Sequence, residues 1–359
     1  MKAKVALVIS VIFIATNSFL PQATAAVKAG AKCTKVNSTS IAAEFKYTCI
    51  KSGKKLVWDN GVALPKFVPW SNPINQSQEL LAFRNNVDIW FKAQTLKNVD
   101  INVYVEPKVN ASGVPWITNA LTFQAQLTGL PAPTSYKFYI GKTDQWVIDK
   151  RKSVMPGLDN WNPKFACYDD LNEACASGSS QEAFFVWAAS SLKSPSEDWQ
   201  FTRSLSHEFF HFTQCDLIGD PRKCGDLFNS VPSWLAEGGA NVIGAIFMDR
   251  LGNLKYEDQR KFAMAIHKNG ERGAYYPLSA FSKNIRFGEF FPYEIGMLAS
   301  EYLIASAGMQ AFFDLYSNLP ITNSFEEAFQ KSFGIKLEQF YTAFDKARVN
   351  LGFYPVTKS

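Results

Sequence analysis

Hydrophobic positions recur along this chain with two periods, and the change from one to the other divides it. Near the start the period is two. Lys46-Tyr47-Thr48-Cys49-Ile50 and Lys55-Leu56-Val57-Trp58 flank Ser52-Gly53-Lys54, a pattern that predicts a β-hairpin. Gly61, Pro65, Pro69 and Pro73 then mark a linker. Apolar residues at Leu80, Leu81, Phe83, Val87, Trp90 and Phe91 predict an amphipathic helix over 77–97. The period of two returns at 101–105, 135–140 and 183–187, read as strands, with a helix over 118–127 between the first two. After that the helical period dominates. Ser194-Pro195-Ser196-Glu197 has the form of a capping box, opening a helix that runs to about Gln214 and spans roughly 30 Å. A second helix runs from near Ser230 to Gly252, a natural C-terminal stop. Further helices are expected over 289–307, 309–318, 324–333 and 336–350. The expected fold class is α+β. A small β module (26–60) and a linker (61–75) precede a helix/strand part (76–190) and a mostly helical lobe (191–355).

The first 25 residues read differently. Lys2 and Lys4 precede an apolar run over 5–16, and Ala23-Thr24-Ala25 fits a cleavage site, so 1–25 is expected to be a signal peptide. The expected location is secreted, extracellular or in the cell envelope, with no membrane span after cleavage. Export suits the six cysteines, which fall into local pairs: Cys33 with Cys49, Cys167 with Cys175, Cys215 with Cys224. Neighbour pairing is the simplest of fifteen arrangements, and spacing alone does not choose among them. The net charge is +5, of which Lys2 and Lys4 supply two. A balance this mild argues against nucleic acid and allows weak attraction to an anionic cell wall.

Candidate chemistry is concentrated in His207-Glu208-Phe209-Phe210-His211, an H-E-x-x-H pentapeptide holding two of the three histidines. Residues i and i+4 share one helical face, so both imidazoles can hold one metal ion with Glu208 beside it. Catalytic zinc usually takes three protein ligands and leaves a fourth position to water. The third ligand is expected to be Glu237, 26 positions past His211 in Trp234-Leu235-Ala236-Glu237-Gly238-Gly239-Ala240. A third histidine in the spacing H-E-x-x-H-x-x-G-x-x-H is excluded, since Gln214 and Leu217 occupy the required positions. Asn241, one turn after Glu237, can accept from the free ring nitrogen of a ligand histidine.

These segments resemble the gluzincins, the zinc metallopeptidase group that includes thermolysin and aminopeptidase N. Phe291-Pro292-Tyr293-Glu294-Ile295-Gly296 is similar to the Y-E-K-G segment of the aminopeptidase N branch. The likeness covers roughly 180–320 and implies a thermolysin-like catalytic domain, a small sheet followed by a mostly helical lobe. It implies one Zn2+ held by His207, His211 and Glu237, with Glu208 as general base. It implies Tyr293 as donor to the developing oxyanion, and a peptide or protein substrate. The sequence departs from that branch at Asn241, where many members carry Asp, and at Ile295, where the branch has Lys. It also lacks the G-x-M-E-N segment that grips a free amino group. Glu182 lies at a comparable distance upstream and is the candidate amine anchor, with Phe184 and Tyr276 as further substrate contacts. The strand over 183–187 is expected to form the sheet edge along the cleft, where a peptide could add. The hairpin with its cysteines is similar to a short module at the N-terminus of exported actinobacterial proteins. Two other functions stay open at this stage: an inactive binding protein of the envelope on the same scaffold, and a zinc hydrolase of non-peptide substrates.

Overall fold

The computed structural model describes residues 27–42, 45–63, 76–107, 109, 113–156, 175–179, 182–186, 199–219, 224, 229–268, 273, 275–282, 292–322 and 324–350. The signal-peptide expectation and Cys167 lie outside these residues. The chain divides into two compact units, 1–64 and 65–359.

In the first unit, β1 (Thr39–Ala42), β2 (Phe45–Ser52), β3 (Lys55–Trp58) and β4 (Val62–Ala63) form an antiparallel sheet around β2. The hairpin β2–β3 turns at Gly53, whose φ of 60° is a conformation that glycine adopts without steric cost. Cys33 and Cys49 are bonded and buried, with Tyr47 beside them in the small core.

The second unit opens with α1 (Gln76–Ala93), β5 (Asp100–Val105), α2 (Val114–Thr128), β6 (Ser135–Gly141), α3 (Asp144–Val154), β7 (Cys175–Ser179) and β8 (Glu182–Val186). Its sheet has the order β5-β6-β8-β7. The first three pair in parallel, and β7 is an antiparallel edge. The edge is therefore 175–179, and the expectation that 183–187 forms it is corrected. A period-two run shows a strand but not its place in the sheet, and β8 has a partner on each side.

The described residues that follow form helices α4 (Trp199–Ile218), α5 (Ser233–Arg250), α6 (Tyr256–Lys268), α7 (Pro292–Ala307), α8 (Met309–Asn318), α9 (Phe325–Phe333) and α10 (Leu337–Asn350). Leu205, Phe209 and Phe212 of α4 pack on Tyr136, Phe138 and Ile140 of β6, while Phe210 faces Phe312, Phe313 and Tyr316 of α8. Helix α4 is thus a shared wall between sheet and helical lobe. Helix α5 is buried from Ser233 to Met248 and forms the lobe's axis. Among the described residues no helix is long and apolar enough to cross a membrane.

Candidate metal centre

Helix α4 holds His207, Glu208 and His211 because its phenylalanines occupy two of its faces and leave a third to the histidines. The helix is tied laterally to α2. Gln124 Nε2 donates to the Ser206 carbonyl (3.1 Å), the Ser206 hydroxyl bonds Gln124, and Thr128 and Thr213 share a 2.9 Å bond. Helix α5 crosses beside it at Gly244, where an added Cβ would lie 3.1 Å from the His207 amide nitrogen. A side chain there would make the contact tighter than nearly all real Cβ contacts, so glycine eases the approach.

The crossing brings Glu237 to the histidine pair. His207 Nε2 and His211 Nε2 are 3.0 Å apart. Glu237 Oε2 lies 3.2 Å from the first and 3.5 Å from the second. All three side chains are largely buried. Ligand atoms of His207, Glu208 and His211 also fall within 4.8 Å of one another, so this group can hold a metal ion.

Both imidazoles are oriented from behind. Gln214 Nε2 donates to the Ala236 carbonyl (3.2 Å), which can only accept, and to the Tyr316 hydroxyl (2.9 Å). The other end of the amide, Oε1, therefore faces His211 Nδ1 at 2.7 Å and accepts from it. That bond keeps a proton on Nδ1 and turns Nε2 toward Glu237. Asn241 Oδ1 stands 2.9 Å from His207 Nδ1 and does the same for the other ring. Gln214 has no exposed surface and Asn241 almost none. Gln214 and Tyr316 were not among the residues anticipated from sequence. Gln214 could have been, since i+3 from a ligand histidine is a neighbouring position on the helix.

Electrostatics within the group follow from burial and proximity. Burial disfavours a charged His211, but the Glu237 carboxylate outweighs it and pushes the imidazole up to about 9. Burial likewise works against ionised Glu237, yet its hydrogen bonds to His207 and His211 hold it well below the usual carboxylate range.

Tyr293, at the start of α7, stacks on His207 with ring centroids 5.8 Å apart and an interplanar angle of 29°. Two glycines set its place. A Cβ on Gly296 would lie 1.9 Å from the Trp234 carbonyl oxygen, and one on Gly238 would lie 2.1 Å from the Gly296 carbonyl carbon. Helices α5 and α7 thus touch backbone to backbone, one residue from Glu237 and one turn from Tyr293.

No family model matches this chain, and no curated protein matches it. The centre therefore stands on its own geometry.

The proposed substrate contacts fare differently. Glu182 Oε2 accepts from Arg151 Nε (3.1 Å) and Nη2 (3.0 Å), and Oε1 accepts from the Tyr139 hydroxyl (3.2 Å). Tyr139 packs with Val147 and Trp146 of α3, on the sheet face opposite α4. Glu182 is thus a buried clamp between β8 and α3, and its role as amine anchor is corrected: a carboxylate already neutralised by a guanidinium has little left for a substrate amine. Phe184 pairs in register with Tyr139, and its side chain lies outside the described part. Tyr276 packs against the helical core, and its carbonyl accepts from Arg348 Nη2 at 2.6 Å. Cys215 and Cys224 form a disulfide just past the end of the histidine-bearing face of α4.

Proposed function

We propose that the chain is an exported zinc metallopeptidase of the gluzincin type. The observation that carries this reading is the triangle of His207 Nε2, His211 Nε2 and Glu237 Oε2, with edges of 3.0, 3.2 and 3.5 Å. Zinc binds imidazole nitrogen and carboxylate oxygen at about 2.0–2.2 Å, so three corners of its tetrahedron stand roughly 3.3–3.5 Å apart. The donor set, two neutral imidazoles and one carboxylate, suits zinc better than the oxygen-preferring magnesium or calcium. Both rings turn Nε2 toward Glu237. A helix–sheet part followed by a helical lobe, with an antiparallel edge strand beside α4, also agrees with a thermolysin-like domain.

Bound zinc would polarise the scissile carbonyl and lower the pKa of the attacking water toward neutrality. The chain's own residues do the rest. Glu208, adjacent to the ligand pair, takes the water's proton and returns it to the leaving amine. Tyr293 donates to the oxygen on which negative charge develops. Asn241 and Gln214 orient His207 and His211 with Nε2 toward Glu237, and loading a metal displaces the proton that the Glu237 carboxylate holds on His211. The signal-like N-terminus and the disulfides support export.

Elemental analysis and peptide-library cleavage test the reading together. One equivalent of zinc and cleavage of peptide bonds are expected for the native protein. Glu208→Gln is expected to keep the zinc and lose at least about 10²-fold in rate. Glu237→Ala is expected to lose the zinc. A zinc-loaded protein that cuts no peptide would sink the peptidase reading, and full zinc occupancy in Glu237→Ala would remove that residue from the ligand set.

A further inference from the structure

The charge of this chain is not spread evenly over its two units. Nine of the 37 basic residues and two of the 32 acidic ones precede Pro65. Lys2 and Lys4 belong to the signal-like segment. The remaining seven are all lysines and face only Glu44 and Asp59, a balance of +5 over 27–64. Everything from Pro65 onward carries 28 basic and 30 acidic residues, a balance of −2. The mild overall charge conceals a strongly basic small unit joined to a weakly acidic large one.

The first unit leaves that charge exposed. Lys28, Lys32, Lys35, Lys51, Lys54 and Lys55 are all exposed, and none pairs with a carboxylate among the described residues. Asp59, already counted in that balance, pairs with none of them, and its Oδ1 accepts from the amides of Thr48 and Gly61, both at 2.9 Å. The register gathers part of the charge on one face. Lys32 bridges to Val57, Val57 opposes Ile50, and Lys55 opposes Ser52 two residues along. Directly opposed residues share a face, so Lys32 and Lys55 flank Val57 and Ile50. The opposite face carries Tyr47 and Cys49 and forms the core. Lys51 and Lys54 add to the same hairpin end.

We infer that this lysine-rich hairpin is a docking surface for a linear phosphate polymer. The chemistry favours that partner over other polyanions. An ammonium is a compact point charge suited to phosphate oxygens and, unlike a guanidinium, brings no bidentate fork for one fixed geometry. Lysines on a face without an aromatic platform track a flexible chain of phosphates and do not read bases by stacking. Ile50 and the half-buried Val57 between them give too little apolar surface to insert in a lipid layer. Such a surface would hold the second unit near polymer-bearing structures. The inference does not rest on the peptidase reading.

The full-length protein and long-chain inorganic polyphosphate make the test. Binding is followed by fluorescence anisotropy for the native chain and two variants of equal charge change. One variant is Lys32→Gln/Lys51→Gln/Lys54→Gln/Lys55→Gln. The other is Lys92→Gln/Lys331→Gln/Lys336→Gln/Lys346→Gln, exposed lysines of the second unit. About four phosphate contacts predict roughly a hundredfold loss of affinity between about 50 and 200 mM salt. The first variant is expected to bind at least about tenfold more weakly at low salt, and the second within about twofold of native. Equal losses in both variants, or binding that ignores salt, would overturn the inference. So would retention on phosphatidylglycerol vesicles without binding to polyphosphate, which would reassign the hairpin to lipid.

Discussion

Gln214 and Asn241 meet the same physical need from two helices: each presents an amide oxygen to the Nδ1 of one metal-facing histidine. They differ in how firmly they are held. Gln214 is anchored by Ala236 and Tyr316, whereas Asn241 Nδ2 has no acceptor among the described residues. A held amide orients the ring, and an oriented ring keeps Nε2 turned toward Glu237. Gln214→Leu removes the acceptor and should weaken zinc binding by about 10–100-fold. Competition with a fluorescent chelator measures this, and unchanged zinc affinity would show that His211 needs no partner. The two histidines and Glu208 were legible in the sequence because i,i+4 spacing is a local fact about any helix. Asn241 was legible for the same reason. Tyr316, which completes the Gln214 anchor, comes from α8, a hundred residues away, and no local spacing points to it.

At the level of elements, glycine decides where the centre's helices cross. Gly244 admits the His207 backbone, and Gly238 and Gly296 bring α5 and α7 into contact. The same glycines in Trp234-Leu235-Ala236-Glu237-Gly238-Gly239 and Pro292-Tyr293-Glu294-Ile295-Gly296 would otherwise be costly in helix interiors. Gly296→Ala puts a methyl group 1.9 Å from the Trp234 carbonyl, so the helices must separate. We expect a loss of about 3 kcal/mol or more, at the upper end for overpacking, read as a lower denaturant midpoint. We also expect reduced peptide cleavage, because Tyr293 moves with α7. A native midpoint in this variant would mean that the crossing relaxes freely. Two helices escaped the sequence pattern. The buried face of α6 includes Gln259 and Arg260 beside Tyr256, Ala263 and Met264. In α3 the buried positions include Arg151, whose partner Glu182 lies on β8. Sheet order was illegible for a related reason: strand partners are chosen by what packs on either face, not by the strand's own alternation.

For the molecule as a whole, stability carries a charge network separate from the candidate metal-binding group. Glu79 of α1 is buried against Glu301 of α7, which accepts from Arg260 Nε (2.7 Å) and the Tyr256 hydroxyl (2.6 Å) of α6. Neither Glu79 oxygen has a donor among the described residues, and a protonated Glu79 can itself donate to Glu301. Burial first, and then the Glu301 charge, pushes the Glu79 carboxyl up to about 8, with Arg260 opposing. A carboxyl raised on folding stabilises most below its ordinary value of 4.5, and the contribution is lost as pH rises through about 8. Thermal melts at both ends of that range test this. Glu79→Gln should match the native protein in mild acid and exceed its Tm above pH 8. Parallel melting curves at all pH values would exclude a buried neutral Glu79.

Several properties were set by the sequence alone: the hairpin and its cysteines, the helical second half, the H-E-x-x-H pair with Glu237, and the lysine excess before Pro65. Each depends on spacing or composition within one segment, where covalent geometry and helix or strand period leave little freedom. Other properties were decided only by tertiary structure. Packing made β7 the sheet edge and turned Glu182 into a clamp for Arg151. It set Gln214 behind His211 and gathered Lys32 and Lys55 on one face. These depend on which distant segments meet, and that choice is made by burying apolar surface and satisfying buried polar groups across the whole chain.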